Sequence, residues 1–300
     1  MDWFFLALIS TFLDTIVLFV DRYVVEKEKG EVGALPVVVS GVSLLVGAVY
    51  WGVSGFEALR FPFNIGIIGA GMLILWANAL YFLAVPQQRQ SSIIMMVFQI
   101  HPVLVLALSW LFLDETISGR QYAGFALIVI SVLLLSFERG QKSGKVRVSA
   151  AVPLLLFSTV IYAFASILLK WATQQYPVVQ IAAFQGFGMA LGGLSMFALP
   201  GVRQSLKQMM ENHPARVIGF MSLNETVSQA SKLLRLFAIA LGPVALVSAV
   251  GSTRVFLGVW VGAVLTVLVP TIYKEDIRGK SLLVKSLLSV LTVTGLWILQ

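Results

Sequence analysis

The chain contains no cysteine. That excludes a disulfide framework, a thiolate metal site and a cysteine nucleophile. Charge is scarce as well. Only 12% of the 300 residues are Asp, Glu, Lys or Arg, against about 25% in an ordinary soluble domain. No P-loop, dinucleotide fingerprint, His-Glu-x-x-His or nucleophile elbow occurs in the sequence. The chain is therefore not an ATP-driven pump on its own. The expected class is a non-enzyme without a cofactor.

Apolar side chain is abundant instead. Hydrophobic residues make up 58% of the chain, and the mean hydropathy is +0.92. A soluble protein of this length could not cover that much apolar surface, whereas a lipid-facing one has no need to. Ten stretches are long enough to cross a bilayer, at about 3–20, 33–54, 64–84, 91–113, 121–137, 150–171, 179–199, 216–240, 243–270 and 281–299. Each is expected to be a helix, because a spanning segment must satisfy its own backbone; barrel strands would be shorter and would alternate in polarity. Met1-Asp2-Trp3 has no basic lead-in and no small-residue cleavage site follows, so the first stretch reads as a retained span. The net charge of +7 fits Lys and Arg gathered in cytoplasmic loops, not a nucleic-acid surface.

The polar stretch Glu138 to Val148 divides the chain into halves. Arg22 at the end of span 1 matches Lys170 at the end of span 6, and Glu115-Thr116-Ile117 matches Glu275-Asp276-Ile277. The second half carries extra residues around Val269-Pro270-Thr271-Ile272. Two tandem copies of an odd number of spans must cross in opposite senses. The expectation is an all-α transmembrane bundle of ten helices in two inverted five-helix repeats, residues 1–139 and 150–300.

Gln99-Ile100-His101-Pro102-Val103, continuing through Trp110-Leu111-Phe112-Leu113-Asp114-Glu115 to Gln121, Gly124 and the apolar run to Leu135, resembles helix 4, the acidic turn and helix 5 of the drug/metabolite transporter superfamily, in particular its EamA-like ten-helix members. Ala240 to Ser248, around Gly242-Pro243, is similar to the junction of that family's helices 8 and 9. The architecture covers essentially the whole chain, but the motifs are degenerate and point to a fold more than to a substrate. Arg254 is a departure, standing where the family usually carries proline. The resemblance implies termini in the cytoplasm. The charges imply the opposite, with about three Lys and Arg on the side of the N-terminus and about fourteen on the other.

Polar groups inside spans are the informative ones, since a charge at mid-bilayer costs about 2.5–3.5 kcal/mol on insertion scales. In span 8, Asn224, Glu225, Ser228, Gln229, Lys232 and Arg235 fall within an arc of about 140°. That stripe lines a wet cavity, or forms an internal salt-bridge network between Glu225 and Lys232 or Arg235. Asp14, near the middle of span 1, is either a proton-coupling site or a counter-ion for Arg254, Lys232 or Arg235. The Arg254 fork suits a carboxylate or phosphate, or pairs with Asp14 or Glu225. Gln99 and His101 project to different faces of span 4; His101 is a hydrogen-bonded helix contact or a proton relay. Trp76, Asn78 and Tyr81 form either a recognition surface or packing. Gly188-x-x-x-Gly192 and Gly258-x-x-x-Gly262 are ridges for close helix packing within one chain.

The function expected is secondary transport of a small metabolite, anionic or zwitterionic, by alternating access between the repeats. The rival is an intramembrane enzyme acting on a lipid-linked substrate, with Asp14 and Glu225 as its acid/base pair. Expected partners are the lipid bilayer and a small-molecule substrate, with no nucleic acid; a coupling proton and a homodimer stay open. The expected location is the plasma membrane of a bacterium or archaeon, as a multi-pass integral protein.

Overall fold

A computed structural model describes residues 2–27, 34–84, 97–141, 151–212, 215–268 and 279–300. Among these residues there is no strand. In chain order the helices are α1 (Trp3–Lys27), α2 (Leu35–Val53), α3 (Phe63–Ala84), α4 (Ile100–Leu113), α5 (Gly119–Gln141), α6 (Ala151–Thr173), α7 (Val178–Met196), α8 (Pro200–Asn212), α9 (Ala215–Leu241), α10 (Val244–Ser252), α11 (Arg254–Leu268) and α12 (Gly279–Leu299).

Proline starts several of them. Pro36, Pro177, Pro200 and Pro243 stand at or just before a first turn, where a missing N–H leaves nothing unsatisfied. Asp114 ends α4 in the left-handed region at φ 51°, and the following N–H, that of Glu115, returns to the Ser109 carbonyl at 3.2 Å. Residues Trp3–Asp21, Leu35–Val53, Phe63–Tyr81, Val152–Thr173, Val178–Met196 and Val244–Val264 are long and apolar enough to cross a membrane. Ile100–Leu113, Gly119–Leu135 and Leu283–Leu299 are shorter apolar helices. The 27-residue α9 is long enough, but Glu225, Lys232 and Arg235 make one of its faces too polar to count as an apolar span.

Two features depart from the expectation. The ninth span is not one helix. It breaks at Thr253, between α10 and α11. Ser252 and Thr253 turn their hydroxyls back onto the Ala249 and Val250 carbonyls, both at 2.7 Å, and the Thr253 N–H also goes to Val250 O. Side-chain hydroxyls competing for helix carbonyls bend or end a helix in this way. A turn also interrupts span 4, at Gln99, three residues before Pro102, whose ring and missing N–H disturb the preceding turn. The second departure is α8. This short amphipathic helix occupies the interval left between spans 7 and 8, and it buries Met209 against Leu35 and Met221.

Helices pack in a definite pattern. α2 lies on α7; α3 lies on α6 and α7; α1 lies on α9; α5 lies on α12; α4 crosses α10. Close approach is built on glycine. A Cβ on Gly186 would stand 2.6 Å from the Ser43 carbonyl of α2, and one on Gly188 would collide with the Ile68 carbonyl of α3. Gly124 and Gly295 do the same for α5 and α12, where an added Cβ would meet the opposing carbonyl at 2.8 and 3.0 Å. The Gly188–Gly192 ridge is therefore packed inside the chain. Gly258 is not, since nothing lies within 4 Å of the Cβ it lacks.

The outward faces of the bundle carry large apolar side chains such as Leu45, Val49, Val53, Trp110 and Trp297. Lipid is the solvent that such a surface fits. The match proposed for Glu275-Asp276-Ile277 and the extra residues Val269 to Ile272 fall outside the described residues.

The glycine contacts give a direct expectation. Gly188→Ala forces backbone apart and should cost about 1–3 kcal/mol, the ordinary price of overpacking. Gly258→Ala meets no atom and adds helix propensity, so it should be neutral or stabilising by up to about 1 kcal/mol. Thermal unfolding of both variants in detergent checks the pair.

Candidate substrate site at the centre of the bundle

The site is built on the seam between α1 and α9. These helices approach along small polar residues that alternate with charges at helical spacing. Ser10 and Ser231 share a hydrogen bond of 3.0 Å, and the Ser231 hydroxyl stands 2.8 Å from the Ser10 carbonyl. Ser231 also donates to Asp14 Oδ1 at 2.6 Å. The other oxygen of Asp14 receives the Arg235 guanidinium in an ion pair. Two turns further along α1, Asn224 Nδ2 donates to Asp21 Oδ1 at 2.7 Å.

The same α9 stripe reaches α2. Lys232 Nζ pairs with Glu225 Oε1 at 2.7 Å, although the two lie seven positions apart. Gln229 sits between them and donates to Glu225 Oε1 at 2.6 Å, with Ser43 Oγ 2.7 Å from the same amide nitrogen. Asn224, Glu225, Ser228 and Gln229 are all buried. The stripe is thus turned inward, and its carboxylate has a cation.

Arg254 stands at the break of the ninth span, at the start of α11. Its guanidinium lies over the Phe98 ring, 5.6 Å from the centroid, which is cation–π distance. Phe98 in turn makes an edge contact with Tyr81 at 5.3 Å. His101 and Tyr162 lie within electrostatic reach of Arg254. Tyr162 of α6 donates its hydroxyl proton to Asn78 Oδ1 of α3. Among the described residues no carboxylate lies within salt-bridge distance of Arg254. Asp14 and Glu225, the partners the sequence offered it, are taken by Arg235 and Lys232.

Three sequence candidates fall elsewhere or apart. Trp76 points away from Asn78 and donates its indole N–H to Ser195 Oγ of α7 at 3.2 Å, so it belongs to helix packing. Gln99 is almost fully buried at the turn in span 4, and its Oε1 has no hydrogen-bond partner among the described residues. His101 is half-buried on a different side of that turn. Sequence reasoning missed Ser43, Ser231 and Tyr162 as members of the polar interior. A hydroxyl in an apolar span is a weak signal, because Ser and Thr readily satisfy themselves on their own helix. Among the described residues no group of three His, Asp or Glu converges as a metal site would require.

The Glu225–Lys232 pair can be tested directly. Removing one member of a buried pair leaves an uncompensated charge and costs about 3–5 kcal/mol. Here some contact with solvent remains, with 11% and 21% of the two side chains exposed, so the low end applies. Glu225→Gln and Lys232→Met should each lower stability in detergent, and the double variant should recover most of that loss. Additive losses would show that the two charges do not depend on each other.

Residues 1–137 match the profile of the EamA-like transporter family. An uncharacterized protein of Methanocaldococcus jannaschii is 36% identical over 72 residues, which is 24% of this chain. The chain spans about half, 51%, of that curated relative's length. A solved crystal structure superposes with a TM-score of 0.68 at 16% sequence identity, covering 99% of this chain and 94% of the other. At that identity the likeness concerns the fold alone, and it extends over both halves. The apolar spans and the family match together make the chain an integral, multi-pass membrane protein.

Proposed function

We propose that the chain, whose residues 1–137 match the EamA-like transporter family, is a secondary transporter that carries a small anionic or zwitterionic metabolite by alternating access. The observation that carries this reading is the charge balance of the interior. Asp14 and Glu225 are matched by Arg235 and Lys232. Arg254 is a cation for which the described residues supply no carboxylate. Arginine stays protonated at any accessible pH. Its charge, beside Phe98, Tyr81 and the Asn78–Tyr162 pair, is completed by the acidic group of the substrate. Arg235 keeps 41% of its side chain accessible although it is already paired. A guanidinium turned to lipid at mid-bilayer would cost about 2.5–3.5 kcal/mol, so we place that surface in a water-filled cavity.

The helix pairing supports a duplication of five helices, residues 1–139 and 150–300. Under it α1 corresponds to α6, α2 to α7, α3 to α9, α4 to α10 and α11, and α5 to α12. A two-fold relation in the membrane plane would make α2 touch α7, α4 touch α10 and α5 touch α12, each a helix meeting its own counterpart. It would also make the α3–α6 and α1–α9 contacts equivalent. These are contacts the bundle has. The helix breaks at Gln99 and Thr253 also fall in corresponding spans. We place the protein in the plasma membrane of a bacterium or archaeon. The enzyme alternative has nothing in its favour, since its two carboxylates sit in separate ion pairs.

Uptake into proteoliposomes tests the reading. Truncating one partner of a buried charge contact costs about 2–5 kcal/mol, or roughly 30-fold and more in affinity. Arg254→Ala should lose uptake of acidic metabolites by at least that factor while eluting as a folded, monodisperse protein. Undiminished acid uptake by a folded Arg254→Ala would end the proposal.

A further inference from the structure

We propose that Glu115 and Lys170 form a latch that closes the bundle on the membrane face where α1 begins, and that transport requires it to open. The inference rests on the transporter reading, but its test does not need a substrate.

Lys170 stands in the last turn of α6, and its Nζ has three acceptors. It pairs with Glu115 Oε1 at 3.1 Å and donates to the carbonyls of Ile239 at 2.7 Å and Gly242 at 2.9 Å. Those carbonyls are at the C-terminal end of α9, where helices leave acceptors unsatisfied and favour a cation. The other oxygen of Glu115 accepts the Val244 N–H at 3.0 Å, at the start of α10. There a helix leaves donors unsatisfied and favours an anion. One ion pair thus caps both sides of the Gly242-Pro243 joint. It also ties that joint to the turn after α4, which belongs to the other half of the chain. The Trp3 ring of α1 packs against Gly242 and fills the remaining space.

Both side chains are only slightly exposed, at 12% and 16%. Among the described residues their polar contacts go to each other, to the Ile239 and Gly242 carbonyls and to the Val244 N–H. Tyr162, Ser166 and Lys170 follow one another at four-residue spacing on one face of α6. Tyr162 belongs to the central site, Lys170 to the latch, and Ser166 lies one turn below the latch between them. Along α6 the latch therefore stands between that end of the helix and the turn that carries Tyr162. The contacts are charge-assisted hydrogen bonds to a joint between helices, and such a joint can rotate once they are released.

The absence of cysteine from the chain allows a clean reporter. Ser166→Cys replaces a half-buried hydroxyl that, among the described residues, bonds to the Tyr162 carbonyl of its own helix. The rate of labelling by a membrane-impermeant maleimide is measured in proteoliposomes from the latch face. Glu115→Gln keeps an acceptor for Val244 and removes the charge; Lys170→Met removes the cation. If the latch holds the face closed, either change should raise the labelling rate about tenfold, the population shift for loss of one charge-assisted contact. Both proteins must still elute as monodisperse species. Unchanged labelling in a folded Glu115→Gln would make the contact a static cap and overturn the latch, while leaving the transport reading intact. Raised labelling in a protein that carries no acid across the bilayer would retain the latch and reject the transporter.

Discussion

The α1–α9 seam is the contact on which the interior depends. Three charged or amide groups of α9 are held by two carboxylates of α1 and by Glu225 of α9 itself. In lipid there is no water to satisfy them, so they must either match one another or line a wet space. Matching fixes the rotation of α9. Its polar stripe faces α1 and α2, and its apolar remainder packs on α6 and α7 or, as at Phe220 and Leu223, faces outward. Replacing Asp14 or Glu225 therefore does more than remove a contact. It releases a cation that has nowhere else to go.

The bundle around this seam is organised by two kinds of irregularity. Glycines let α2, α3 and α7 approach until backbone meets backbone, and they do the same for α5 and α12. Helix breaks stand just before α4, at Gln99, and just after α10, at Thr253. The first follows from Pro102 and the second from hydroxyls bonded to their own helix. Different chemistry thus produces a break in each of these two spans. Broken helices near mid-bilayer are where transporters of other folds place their substrate contacts. Arg254 begins the helix that follows such a break.

Much of this was legible in the sequence because hydropathy and charge are long-range signals in a membrane chain. The span-8 stripe was visible because charges are too costly in lipid to be placed at random. That Asp14 needs a cation was legible too, but which of three cations it takes was not. The choice depends on helix rotation and tilt, which spacing alone does not give. α8 escaped notice because its apolar face is narrow and short, and a search for apolar runs passes over it. The break at Thr253 was hidden because Gly251-Ser252-Thr253 is short, and the apolar residues on either side keep the average high enough to continue a span. Trp76 and Asn78 were grouped by proximity in sequence, yet two positions apart on a helix is opposite sides. Glu115 and Lys170 stood out only as marks of a repeat. Their meeting across the two halves is a tertiary fact.

The central claim is that Arg254 holds an open charge for an anion. The most direct measurement is thermal stability of the purified protein against a series of small carboxylates, phosphates and zwitterions. A ligand that binds only the folded state at about 100 times its Kd adds about 2.7 kcal/mol. The account predicts that at least one acidic ligand raises the wild-type Tm in a concentration-dependent way and leaves that of Arg254→Gln unmoved. A parallel rise in Arg254→Gln, or a wild-type protein indifferent to every anion while responding to a neutral or cationic solute, would contradict it.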